Sequence, residues 1–156
     1  MAGYSGTPLP RKLGINPGAR LGLLGAPADF ERTLGELPLG VTVRAVGGGD
    51  DPFDVIVCFA RSARELASDL PALPARLDPA GGLWIAWPKK ASGLATDLTD
   101  GEVRRRGLAL GLVDNKICAI DDTWSGLRFV VRLADRASSK GLAPPKGAKT
   151  VKAARR

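Results

Sequence analysis

Histidine is absent from all 156 residues. Without it the commonest general base is gone, along with Ser-His-Asp and Cys-His arrangements and every imidazole metal site. The two cysteines, Cys58 and Cys118, cannot make a structural zinc site by themselves. Each sits inside an apolar run, where a free thiol behaves as a small core side chain. Chemistry is left to carboxylates and lysines. Outside residues 137–156 the chain uses Arg 13 times and Lys four times, and two of those four, Lys89 and Lys90, are adjacent. They follow Trp84-Ile85-Ala86-Trp87-Pro88 directly. An ammonium is a compact, mobile point charge whose pKa falls on burial. The pair offers an anion or phosphate contact, or it is only the solvated end of a core strand.

The elements that must position this pair are read from apolar runs and turn residues. Thr7-Pro8 predicts the start of a short helix that ends at Gly14. Arg20 to Gly25 reads as a first strand. A helix is expected from Pro27, with Phe30, Leu34 and Leu37 on one stripe, and Val41 to Val46 as a second strand. Asp54 to Ala60 is nearly all apolar, the pattern of a strand buried on both faces. A helix from Ser62 follows, broken or bent at Pro71 and Pro74. Asp78 to Gly82 predicts a turn before a buried strand, Leu83 to Trp87, with Trp84 and Trp87 on opposite faces. Thr99-Asp100-Gly101-Glu102 fits a capping box, and Gly111 closes that helix. Leu112 to Ile120 and Leu127 to Leu133 predict a hairpin whose loop is Asp121 to Gly126. The alternation predicts a three-layer, Rossmann-like α/β domain over residues 1–136, its sheet mostly parallel and ending in an antiparallel hairpin. One link resists: about seven residues separate the second strand from the third, while a parallel crossover usually takes about a dozen.

Charge and composition narrow the setting. The net charge of +7 belongs to the tail: residues 137–156 hold six basic residues and no acid, leaving 17 basic and 16 acidic residues elsewhere. That tail is expected to be disordered, either solubilising or in weak, salt-sensitive contact with nucleic acid. No apolar run approaches a membrane span, and the first residues lack a signal-peptide pattern, so a cytoplasmic protein is expected. Gly47-Gly48-Gly49 lacks the Gly-Lys-Ser/Thr ending of a phosphate loop, and Asn115-Lys116-Ile117-Cys118 lacks the aspartate of a guanine-reading motif.

Two resemblances add to these expectations. The segments SGTPLPRKLG, GGLWIAWPKKASG, DLT and LVDNKICAIDDTWSGLRFVVR, within roughly residues 3 to 133, resemble an uncharacterised family of short bacterial proteins classed as a domain of unknown function. That resemblance implies a Rossmann-like fold and supplies no catalytic residue. The order of elements, with Leu77 to Trp87 (LDPAGGLWIAW) as its telling segment, is similar to that of class I methyltransferases that use S-adenosylmethionine. Those enzymes carry D/E-x-G-x-G after the first strand. Here Leu23-Leu24-Gly25-Ala26-Pro27 has leucine in place of the acid and proline in place of the second glycine, and the second strand reaches no acid until Asp50.

In an open parallel sheet, ligands bind outside the carboxyl ends of the strands. The candidate site residues are therefore Gly25, Arg61, Lys89, Lys90, Ser92, Trp124 and Ser125, with Asp97 nearby and the helix N-terminus at Pro27 offering N–H groups to an anion. Asp121 and Asp122 read as turn formers or as carboxylates closing the site. No metal and no cofactor is assigned. The leading expectation is a small ligand-binding protein without catalysis, holding an anionic or nucleotide-like molecule at this edge. A divergent S-adenosylmethionine-dependent methyltransferase, and a protein-interaction module with a nucleic-acid-touching tail, are the alternatives.

Overall fold

In the computed structural model, which describes residues 7–47 and 49–135, the near-continuous apolar run becomes β3 (Phe53–Phe59), a central strand. From Val55 onward its side chains alternate between two cores, after an irregularity that separates Phe53. Phe53, Ile56 and Cys58 enter one, while Val55, Val57 and Phe59 enter the other. The remaining strands are β1 (Arg20–Leu24), β2 (Thr42–Ala45), β4 (Leu77–Pro88), β5 (Leu112–Ala119) and β6 (Trp124–Val131). They form one six-stranded sheet in the order β2-β1-β3-β4-β6-β5. The first four are mutually parallel, and β6 runs antiparallel to both β4 and β5.

Helices cover both faces, which makes three layers. α1 (Leu9–Leu13) and α2 (Phe30–Leu34) place Leu9, Leu13, Phe30 and Leu34 in one core. α3 (Ala63–Asp69) and α4 (Asp100–Ala109) place Leu66 and Val103 in the other. Trp84 and Trp87 point to opposite faces as expected. The predicted α/β architecture is the observed one. No helix among the described residues is long and apolar enough to cross a membrane. Residues 1–6 and 136–156, with the expected basic tail, lie outside the described residues.

Several local expectations are corrected. The N-cap of α1 is Pro8 rather than Thr7. The helix expected from Pro27 shrinks to five residues, because Gly35 takes φ 75° and Pro38 follows. Its N-terminus is at Phe30, so no helix end at Pro27 points at a ligand. The Asp78–Gly82 turn is instead an irregularity inside β4, where the register against β3 jumps from Phe53↔Leu77 to Val55↔Gly82. Asp78 folds it by accepting the Ala80 N–H at 2.9 Å.

The short link from β2 to β3 is the unusual connection. It returns to the amino edge past β1 without a helix, and β2 and β3 pair with opposite sides of β1. Gly22 of β1 makes this possible. A Cβ there would lie 2.8 Å from Val46 Cγ2 and 2.9 Å from the Phe53 ring, so the two ends of the link pack directly on bare backbone. Arg76 clamps the link. Its Nη1 donates to Gly47 O at 2.5 Å, its Nε and Nη2 donate to Asp51 O, and its guanidinium lies 5.2 Å from the Phe53 ring centroid. At the same amino edge Asp54 accepts the Arg20 N–H and takes its guanidinium through both oxygens, which holds the Asp54 carboxyl below its usual range.

Two predictions follow from this packing. Gly22→Ala should lower unfolding free energy by about 1–3 kcal/mol through overpacking, measured by urea denaturation. Gly47→Ala, with no atom near its added Cβ, should be close to neutral. The second concerns alkaline pH. Burial, reinforced by the Asp69 and Glu65 carboxylates, pushes the Cys58 thiol from 9.0 up to about 12. Between those values the unfolded chain has released this proton while the folded chain keeps it. The Cys58 contribution is thus intact below the lower value and falls as pH rises, by up to about 1.4 kcal/mol per pH unit. Cys58→Ala should show a visibly shallower stability loss over that window in urea titrations.

Candidate functional site

The carboxyl edge of the sheet is built from the ends of β1, β3 and β4 and the start of β6. β1 is followed by Gly25, which takes φ 70°. A Cβ there would stand 2.8 Å from Phe59 O, so glycine is required by the close approach of the β3 backbone. β3 turns into α3 through a corner held by three side chains. Ser62 Oγ caps α3 by accepting the Glu65 N–H at 3.1 Å, Glu65 Oε1 accepts the Arg61 N–H at 2.6 Å, and Asp97 Oδ1 accepts the Ala63 N–H at 2.8 Å.

Arg61 leaves this corner and crosses the edge. Its Nη2 donates to Gly25 O at 3.1 Å, and its guanidinium carbon lies 5.1 Å from the Trp124 ring centroid. The ion pair with Glu65 is long, at 4.0 Å, and the Arg61 side chain is 46% exposed, so solvent screens it. Trp124 itself is buried, its ring edge-on to Phe59 at 5.0 Å, with Phe30 behind at 4.8 Å from Phe59. Gly25, Arg61 and Trp124 are thus brought into contact, and the edge between them is filled by the Arg61 side chain.

Trp124 and Ser125 are strand residues, contrary to the expectation that they lie in the hairpin loop. Trp124 opens β6 opposite Pro88, and Ser125 pairs with Trp87 and Ala119. The turn is shorter than predicted because Asp121 Oδ1 accepts both the Thr123 and Trp124 N–H groups at 2.8 Å, while Ile120 N–H donates to Trp124 O. Asp121 is a turn former, and Asp122 is exposed.

The lysine pair sits on an ordered loop. Lys89 N–H donates to Thr123 O at 2.8 Å, joining the end of β4 to the hairpin turn. Ser92 donates through Oγ to Lys89 O at 2.6 Å and accepts the Leu94 N–H at 3.2 Å, so its hydroxyl serves the turn. Gly93 closes it at φ 82°. Lys89 is half-buried and Lys90 exposed, and neither ammonium has an ion-pair or hydrogen-bond partner among the described residues. The carboxylates of Glu65, Asp97 and Asp121 each accept backbone N–H groups of this edge. Two contributors were not singled out from sequence. Glu65 was legible as Ser62-x-x-Glu65, the spacing of a helix cap, whereas Phe59 as the brace of Trp124 depends on pairing across the sheet.

No family model matches the chain, and no curated protein matches it. The resemblance to an uncharacterised bacterial family is therefore unsupported. Solved structures do match. The chain is similar to DhpI in its complex with SAH, at 13% identity over 81% of this chain and 83% of that one, with a TM-score of 0.53. It is similar to a ribosomal protein L11 methylase from Lactobacillus delbrueckii subsp. bulgaricus, at 12% identity over 80% and 75%, with a TM-score of 0.54. A SAM-dependent methyltransferase from Aquifex aeolicus matches at 14% identity over 78% and 87%, with a TM-score of 0.53. At these identities the likeness establishes the Rossmann-like fold of methyltransferases. It also corrects the leading expectation: the non-catalytic reading, a holder of a small anionic or nucleotide-like ligand, gives way to the methyltransferase alternative.

The loop geometry separates two roles for Ser92. Ser92→Ala should cost about 1 kcal/mol in urea unfolding, the usual cost of a lost hydrogen bond. A stability unchanged by the substitution would remove the structural role.

Proposed function

We propose that the chain is a divergent S-adenosylmethionine-dependent methyltransferase of the class I fold. The observation that carries this reading is the strand order, in which β6 alone is reversed and lies between β4 and β5. That order supports placing the ligand where the topology reverses, between the carboxyl ends of β1 and β3. Gly25 and Arg61 stand on the two sides of that crevice.

The residues present fit one end of the cofactor. S-adenosylmethionine brings a sulfonium, an amino-acid end and a nucleoside. The carboxyl edge has an aromatic face at Trp124, at the start of β6, for a cation and a carbonyl at Gly25 for an ammonium, and both contact the Arg61 guanidinium. The nucleoside end is less provided for: β2 ends at Ala45, Val46 follows, and Asp51 farther along pairs with Arg44 at 3.6 Å. When bound, the cofactor supplies an electrophilic methyl group. The chain's part is binding and orientation, which suits a protein without histidine. Lys89 and Lys90, one strand away at the end of β4, give the acceptor side a positive potential and favour an anionic acceptor.

Calorimetric titration with S-adenosylhomocysteine tests the reading. Saturable binding is expected from the wild type and from Lys89→Ala/Lys90→Ala alike. Absence of heat from the wild type at millimolar ligand would overturn the assignment. Loss of binding confined to the double variant would move the lysines into the cofactor site.

A further inference from the structure

We infer that Arg61 is an internal stand-in for the cofactor's cationic end, a latch that has to leave before a sulfonium enters and that sets the balance between methyl donor and product. This rests on the methyltransferase reading. The juxtaposition behind it is specific. One guanidinium satisfies the Gly25 carbonyl and covers the Trp124 ring, so a single positive group uses two electron-rich surfaces of the carboxyl edge, one after β1 and one at the start of β6. A second cation cannot share them without meeting the repulsion of a like charge at close range. The same ring packs on Phe59 in a T-shaped contact at 5.0 Å.

The latch is built to move. Arg61 is anchored at its backbone, where its N–H donates to Glu65, while its guanidinium has one hydrogen bond of ordinary length and a 4.0 Å ion pair. Exposed contacts of this kind hold a side chain weakly. Swinging outward, the guanidinium meets water and Glu65. It uncovers a buried indole beside a carbonyl, the surroundings in which desolvated cations gain most from an aromatic face.

The consequence is a difference between two ligands that differ by one methyl group and one charge. S-adenosylmethionine carries the sulfonium and competes with Arg61 for Trp124. S-adenosylhomocysteine carries a neutral thioether and does not need the ring. Arg61→Gln should therefore tighten S-adenosylmethionine more than S-adenosylhomocysteine, by about twofold to thirtyfold, the span of exposed to desolvated cation–aromatic contacts, because the freed Gly25 carbonyl serves the ammonium that both ligands carry and cancels in this ratio.

The experiment is calorimetry with both ligands on wild type, Arg61→Gln and Arg61→Lys, at low and high salt. Tryptophan fluorescence of the same samples reports whether the indole environment changes on binding. The expected result is a selective gain for S-adenosylmethionine in Arg61→Gln that persists at high salt, with Arg61→Lys close to wild type. A contact exchange survives salt, whereas repulsion from a remote charge is screened. Equal gains or equal losses for the two ligands would overturn the latch, and so would a selective gain that vanishes at high salt. If neither ligand binds any of the three proteins, the methyltransferase reading fails and takes the latch with it.

Discussion

A strand can return past its neighbour without a helix only where nothing stands up from that neighbour's backbone. Gly22 is that bare position, and the β2–β3 link rests on it through Val46 and Phe53. Much of the sheet follows from this passage. β2 lies directly beside β1, and β3 takes β1's other side. The reversal of strand order between β1 and β3 is thereby set, and with it the crevice at their carboxyl ends. Arg76 secures the arrangement from outside by taking two carbonyls of the link and lying on Phe53.

The parts of the fold legible in the sequence are those governed by local pattern. DVIVCFA reads as a doubly buried strand because every second residue belongs to a different core. Thr99 reads as a helix cap, and its Oγ1 accepts the Glu102 N–H at 3.2 Å. The reciprocal half of the box is taken over by ion pairs, since Glu102 receives Arg105 and Arg106. Where pattern and backbone disagreed, glycine decided. Phe30, Leu34 and Leu37 have helical spacing, yet Gly35 interrupts them. Asp78-Pro79-Ala80-Gly81-Gly82 has turn composition, yet the chain stays in β4, and a Cβ at Gly81 would meet the Asp54 backbone. No single-sequence pattern contains that cross-strand approach.

The candidate site was legible as a place and illegible as an arrangement. The carboxyl edge follows from the alternation of strands and helices. The contact of Arg61 with Gly25 and Trp124 joins residues far apart in the chain, and only the folded sheet brings them together. The expectation of a non-catalytic holder weighed a missing glycine-rich motif more heavily than the order of elements. Motif residues near a ligand are local, whereas strand order is held by the whole core. The same contrast explains Ser92 and Asp121: residue types that suit a ligand site equally suit the turns that border it.

α1 carries a consequence for how the chain is assembled. The indole N–H of Trp84, at the centre of the sheet, donates to Leu13 O at 2.9 Å. Lys12 Nζ donates to Ala119 O, and Lys116 Nζ donates back to Lys12 O. These bonds join positions separated by 71, 107 and 104 residues. Contacts of such separation form late, because the intervening chain must first be ordered. α1 therefore completes its hydrogen bonds only once β4 and β5 are in place, and it closes the core over Trp84.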